Sequence, residues 1–341
     1  QHTVSVWEVL VIKTLTKENI MDLPIALKTA SEKLVVGYKQ AQLKKIAQDL
    51  SDRYRNESGA GKVLLSKDIE AAVYALVRMP ATYGAVSDAL SYSLEYFNGE
   101  IKTLLDVGAG SGAATWAAQA QLPLERITCI EREGAMRRVG EALMKEGEPV
   151  LSSARWISSD LTSSKITTSA DIVISSYVMN EMAKKDRQFV LDNLWAATNE
   201  MLLIVEPGTP AGFSVLKDTR DYLLSKGAHI VAPCPHENEC RLAEDDWCHF
   251  TCRVQRSKTH KMLKDADVPY EDEKYSYMAF VKNECNRATA RILRHPYIEK
   301  GQIGLEICSR KDNRSVQVKK KDGKLFKVAR KAKHGDSIEI E

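Results

Sequence analysis

Apolar and polar positions alternate along the chain in three different rhythms. From Met21 to about Asn98 the period is helical. Leu43, Ile46, Ala47, Leu50 and Tyr54 recur with Lys, Gln and Asp between them, and Ser66 followed by Asp68 marks a helix start. Pro80 has no backbone donor, so the pattern predicts an interruption there and a further helix over about 81–97. From Lys102 short apolar runs take over, namely TLLDVG, RITCIE, ARWISSD, ADIVISSY, MLLIVEPG and AHIVAP, with helix-like stretches between them. Such strands predict an α/β fold with a parallel sheet covered on both faces. YSYMAFVK, from Tyr275 to Lys282, predicts a seventh strand. In the tail, GLEICS, RSVQVKKK, the Asp322–Gly323 turn and KLFKVARKA predict a small β unit.

These rhythms divide the chain into residues 1–20, 21–98, 99–300 and 301–341. The first stretch contains VSVWEVLVI but no basic front or cleavage pattern of a signal peptide, and MDLPIAL opens the helical pattern directly after it. It is expected to be a leader or an expression-derived segment, with Met21 beginning the working protein.

Composition narrows the class. Of 341 residues 44% are hydrophobic and 28% charged, with 18 Gly and 10 Pro, so a large core is available and disordered or collagen-like classes are excluded. No run approaches the roughly 18 apolar residues of a membrane helix. Net charge is near balance, yet from Arg253 onward 22 Lys and Arg face 13 Asp and Glu. The basic end is where a polyanion would bind.

LLDVGAGSGAAT places Gly108, Gly110 and Gly112 between an apolar strand and a helix, where the backbone can turn tightly and approach a nucleotide-like cofactor. Gly108, Gly110 and Ala113 also satisfy the dinucleotide fingerprint. Asp106 and the GxGxG spacing instead resemble the first motif of class I S-adenosylmethionine-dependent methyltransferases, a Rossmann-like fold. Glu131, ending the second strand, can accept from ribose hydroxyls in either case, and Asp160 stands where that superfamily contacts the adenine edge.

Four of seven cysteines crowd one segment: Cys234, Cys240, Cys248 and Cys252, interleaved with His236 and His249, within an expected insertion at about 232–262. Their spacing matches neither paired zinc knuckles nor a common ferredoxin run, so zinc, an iron–sulfur cluster and free thiols all remain open. Cys129 and Cys285 read as packing residues.

Arg78–Tyr83 (RMPATY), LLDVGAGSGAATWAA, SSYVMNEM, IVEPGTPAG, APCPHENECRL, DWCHF, YEDEKYSYMAF and ARKAKHGD occur in an order that resembles the Rsm22 family, from about Met21 to the end. The resemblance implies a class I methyltransferase fold with a helical N-terminal region, a Cys-rich metal-binding insertion and a small basic C-terminal β unit. It further implies association with the small ribosomal subunit and its rRNA, and a four-cysteine [4Fe–4S] cluster. On that basis Cys234, Cys240 and Cys248 are three ligands and Cys308 the fourth, Cys252 being nearer in sequence.

Catalysis is less clearly written. Methylation of a base nitrogen commonly uses an Asn/Asp/Ser-Pro-Pro-Tyr loop after the fourth strand, but here Ser175 to Glu181 reads SSYVMNE, without the prolines. Carbon-5 methylation needs a cysteine nucleophile, and the nearest strand-end candidate is Cys234. Asn180 and Glu181 are the residues left to orient an acceptor or take its proton. An rRNA methyltransferase and a non-catalytic assembly factor are both expected readings, a dinucleotide-dependent oxidoreductase a third.

For RNA contact, Arg287, Arg291 and Arg294 predict one basic helix stripe, and Arg253, Arg256, Lys258 and Lys261 another. Lys319, Lys320, Lys321, Lys324, Lys327, Arg330, Lys331 and Lys333 predict a basic face on the β unit. The chain is expected to act as a monomer on the ribosome. Lack of an Arg/Ser-rich transit pattern favours bacterial cytoplasm over the mitochondrial matrix.

Overall fold

A computed structural model of the chain describes residues 20–57 and 65–340; the expected leader, apart from Ile20, lies outside them. Helices α1 (Ile25–Lys33), α2 (Gln40–Glu57) and α3 (Asp68–Leu94) come first. Helix α3 starts where expected, with Glu70 accepting from the backbone N–H groups of Ser66 and Lys67. It then corrects the predicted break, for it runs straight through the buried Pro80. A helical proline costs about 3 kcal/mol. Leu76, Met79, Val86 and Leu90 are all buried along the same helix, at roughly 1.5–3 kcal/mol each, and that packing outweighs the lost hydrogen bond.

The six early apolar runs form strands β1 (Thr103–Val107), β2 (Arg126–Ile130), β3 (Arg155–Ile157), β4 (Ala170–Ser176), β5 (Thr198–Pro207) and β6 (His229–Ala232). Between them run α4 (Ala113–Gln119), α5 (Gly134–Met144), α6 (Pro149–Ser152), α7 (Lys184–Ala197) and α8 (Pro210–Ser225). Two further strands, β7 (Phe250–Gln255) and β8 (Tyr270–Val281), flank the short helix α9 (Lys258–Leu263). The sheet order is β3-β2-β1-β4-β5-β8-β6, with β7 also paired to β8. Strands β1 to β5 are parallel, and β8 runs antiparallel to both β5 and β6. Side chains alternate across this sheet: Leu104, Ile172 and Leu203 pack with α3 to α5, while Leu105, Val173 and Leu202 pack with α7 and α8.

Strand β8 begins earlier than the expected Tyr275, and β7, which the sequence reading did not single out, lies inside the expected insertion and buries Phe250, Cys252 and Val254 at alternate positions. Together they create an unusual edge. Strand β6 pairs with Ala279–Val281 and β7 with Tyr270–Tyr275, so Ser276–Met278 have no strand on that side. The cysteine-bearing chain from Pro233 to His249 leaves the sheet at this gap.

A second sheet contains β9 (Ala290–Ile292), β10 (Tyr297–Glu299), β11 (Gln302–Ser309), β12 (Asn313–Lys319) and β13 (Ser337–Ile338), in the order β10-β11-β9-β13 with β12 on β11. Its strands start at Ala290, ahead of Gly301. The KLFKVARKA run is not a strand but carries helix α10 (Lys324–Ala329). Leu325, Phe326, Ala329 and Ala332 pack at helical spacing on the small sheet's core, which is the physical reason for the difference. Among the described residues no helix is long and apolar enough to cross a membrane.

Candidate functional site

Strand order reverses between β1 and β4, and in open α/β sheets that reversal opens a crevice at the carboxyl ends of the strands. The glycine loop lies there. Gly108, Gly110 and Gly112 all take positive φ, at 73°, 55° and 86°. At Gly108 a Cβ would come within 2.4 Å of Val178 Cγ2, so the loop after β4 packs directly on the glycine loop.

Glu131, at the end of β2, accepts from Gly110 N at 2.8 Å and Glu133 N at 2.7 Å. Burial nevertheless raises its pKa, and each oxygen retains a lone pair for a further donor such as a ribose hydroxyl. Asp106 departs from the expected ligand-facing role. It is fully buried, its Oδ2 accepting from Thr115 N and Oγ1, so it ties β1 to the first turn of α4. Its Oδ1 has no partner, and burial pushes the carboxyl up to about 7. Asp160 lies three residues beyond β3, accepts from Thr162 N and Oγ1, and keeps its pKa low through those bonds.

Asn180 and Glu181 stand on a short 3-10 turn, Met179–Glu181. Buried Glu206, at the end of β5, accepts from Met179 N at 2.9 Å and Asn180 N at 3.1 Å and so fixes that turn. Burial pushes the Glu206 carboxyl up to about 8, despite those two donors. Just before the turn Tyr177 adopts φ 60°, a strained conformation for a bulky residue, held by its hydroxyl donating to Glu273 at 2.8 Å. Tyr177, Asn180 and Glu181 face a cavity of about 600 Å³ roofed by α2 and α3, with Arg78, Arg256 and Lys264 also on its wall. Surrounding protein, then Glu133 and Glu131, push the Glu181 carboxyl up to about 7, while its exposed edge lets solvent temper that shift.

The second centre assembles from distant parts of the chain. Cys234, Cys240, Cys248 and Cys308 line one cavity with His236, closed on the sheet side by Ser276, Tyr277 and Met278 of the unpaired β8 edge. Cys308 Sγ stands 3.6 Å from His236 Nε2, and Cys234 Sγ 3.9 Å from Met278 Sδ. Burial raises the Cys234 and Cys248 thiols and pushes Cys308 up to about 12, the other sulfurs adding to each shift. Arg220 and Arg291 oppose the rise at Cys234. Cys252 is not on this cavity; it lies in β7 against α3, its Sγ 3.1 Å from where a Gly84 Cβ would sit.

Among the described residues no group of three or more His, Cys, Asp and Glu is arranged to hold a metal ion. Four cysteines on one cavity wall are a donor set whose soft sulfurs suit either a zinc ion or an iron–sulfur cluster.

The first predicted arginine stripe does not exist. Arg287 is in a loop, bonded to Glu237 at 2.7 Å; Arg291 is in β9 and 1% exposed; Arg294 pairs with Asp246. The segment's apolar residues Ala290 and Ile292 satisfy the small sheet, which overrides the i, i+4, i+7 spacing. In the second group Arg253 is bonded to Asp272 and Arg256 lies beside Glu271, leaving Lys258 the exposed one. Lys319, Lys320, Lys321, Lys324, Lys327, Arg330 and Lys331 are exposed, on β12, the adjoining turn and α10. Arg220, Glu206 and Thr115 escaped the sequence reading, since no spacing marks a residue whose partner is made by the fold.

Comparison with known proteins identifies the family. The chain is 32% identical over 197 residues to the human "Ribosome assembly protein METTL17, mitochondrial", an alignment covering 52% of this chain and 42% of that protein. It is 24% identical over 337 residues to "Rsm22-cox11 tandem protein 2, mitochondrial" of Schizosaccharomyces pombe, covering 80% and 44%. The chain therefore spans less than half the length of these curated relatives. Among solved structures, the N-methyltransferase NodS of Bradyrhizobium japonicum with S-adenosyl-L-homocysteine aligns at TM-score 0.41 and 13% identity, over 70% of this chain and 99% of that one. Magnesium protoporphyrin IX methyltransferase of Synechocystis aligns at 0.38 and 14%, over 71% and 97%. The family described as "Mitochondrial small ribosomal subunit Rsm22" matches residues 68–339, and the chain belongs to it.

Proposed function

We propose that the chain binds S-adenosylmethionine at the glycine loop, carries a [4Fe–4S] cluster in the cysteine cavity, and acts on small-subunit rRNA during ribosome assembly. The observation that carries the cofactor reading is the contact of Gly108 with Val178, which puts the nucleoside-binding loop against the turn bearing Asn180 and Glu181. The bound cofactor would supply an electrophilic methyl group. Glu131 would accept from its ribose hydroxyls, Asp160 would meet the adenine edge, and the loop's backbone N–H groups would line the approach. Asn180 would orient an acceptor in the 600 Å³ cavity and Glu181 would receive its proton.

A non-catalytic assembly role is the second reading, favoured by the missing prolines after β4 and by the name of the human relative. The relatives' names are mitochondrial, so the matrix replaces bacterial cytoplasm as the compartment proposed. The exposed lysines of β12 and α10 would meet phosphates. Calorimetry with S-adenosylmethionine on wild type and Gly110→Arg, followed by transfer of labelled methyl to small-subunit RNA, tests the reading. Binding lost in the variant together with transfer supports an enzyme. Binding lost while assembly is still rescued supports the scaffold. Nicotinamide-cofactor binding without S-adenosylmethionine binding overturns both. Elemental analysis of anoxically purified protein decides iron against zinc.

A further inference from the structure

The wall of the cysteine cavity carries Lys217, Arg220 and Arg291 and, among the described residues, no Asp or Glu. Arg220 and Arg291 are 3% and 1% exposed. Each clamps the cysteine-bearing chain by its carbonyls: Arg220 donates from Nη2 to His236 O and Asn238 O, and Arg291 from Nε to Pro233 O at 3.1 Å. Each also has one carboxylate, through Nη1, on a side chain open to solvent: Asp221, 58% exposed, and Glu95 at 3.8 Å, 39% exposed. What remains is one unpartnered buried nitrogen on each guanidinium, Arg220 Nε and Arg291 Nη2. Removing a cation from water without an adequate counter-charge costs several kcal/mol, so such a pair points to negative charge inside the cavity. Protonated thiols supply none. Four thiolates around a dicationic metal core leave two negative charges, and two guanidiniums balance them.

We infer that Arg220 and Arg291 are the counter-charges of an anionic metal–thiolate centre, positioning residues that set its retention and its affinity for an electron. The inference rests on reading the cavity as a metal centre, but it assigns a role to two residues outside the ligand set. Charge and hydrogen bonds to the sulfurs are the two levers by which a protein tunes such a centre.

The test uses the full chain, purified without oxygen, as wild type, Arg220→Met, Arg291→Met and the corresponding Arg→Lys variants, each checked for folding by circular dichroism. Release of metal into a chelator reads the balance for iron or zinc alike. For iron, a potentiometric titration followed by electron paramagnetic resonance reads it again. Each Met variant is expected to release metal about tenfold faster and to bind the reducing electron about tenfold more weakly, a midpoint lower by about 59 mV for one electron. The Lys variants keep the charge but lose the fork, and are expected to stay within about threefold of wild type.

Unchanged release and midpoint in folded Met variants would overturn the inference. Equal damage in the Lys and Met variants would also overturn it, because the carbonyl clamp rather than the charge would then matter. If a Met variant does not fold, the Lys variant against wild type still separates the two. Wild-type protein containing neither iron nor zinc would sink the metal reading itself, and needs no variant to be recognised.

Discussion

The two candidate centres are built in opposite ways. At the glycine loop, Asp106 to Glu131 are one strand–helix–strand unit, and the working surface is mostly backbone. At the cysteine cavity, side chains from α8, the segment after β6, the edge of β8 and strands β9 and β11 meet, none of them adjacent in sequence. A local site survives as long as its turn does, whereas a dispersed one exists only once both sheets are docked. Arg291 illustrates the docking, reaching from β9 to Pro233 O and Gly335 O.

The sharpest way to break this contrast is Cys308→Ser beside Cys252→Ser. Loss of the distant thiol is expected to lower bound metal at least tenfold by elemental analysis, while loss of the nearer one leaves it unchanged. Equal retention in both would return the site to a local one.

Gly108→Ala comes next. A left-handed backbone and a 2.4 Å approach to Val178 together predict a loss of about 2–4 kcal/mol in denaturant unfolding, with cofactor binding abolished. Gly110→Ala meets only Met136 Cε at 3.3 Å and is expected to cost about half as much.

Glu206 offers a pH-dependent effect, modest over any single pH unit. Its folded pKa, about 8, lies above the ordinary carboxylate range, so its contribution is complete below about 4.5 and is lost as pH rises through 8. Against Glu206→Gln, wild-type stability should fall by up to about 1.4 kcal/mol per pH unit across that window. Chemical denaturation at several pH values checks the slope.

The smallest effect is expected at the basic face. Replacing Lys319, Lys320 and Lys321 by Ala should weaken RNA binding evenly across sequences and reduce the salt slope by about 2.

Much of the sheet was legible because its central strands β1, β4 and β5 carry near-continuous buried apolar runs, the mark of burial on both faces. Pro80 misled because propensity is local and the packing of α3 is not. KLFKVARKA misled because its mixture of apolar and basic residues was read as alternation, whereas Leu325, Phe326, Ala329 and Ala332 share a helical period that the small sheet's surface buries. The spacing of Arg287, Arg291 and Arg294 misled because burial of one cation was already determined by a strand pairing invisible in sequence.

By itself the sequence determined which early runs are strands, the position of the glycine loop and the local crowding of four cysteines, since these depend on residue type and short spacing. That Cys308 joins Cys234, Cys240 and Cys248 was implied only by the family resemblance; the tertiary structure puts the four on one cavity, turns Cys252 away, and alone decided that two arginines are sealed beside them. Chain segments separated by tens of residues become neighbours only when strand pairing and apolar packing hold them together, and no local pattern records which segments those will be.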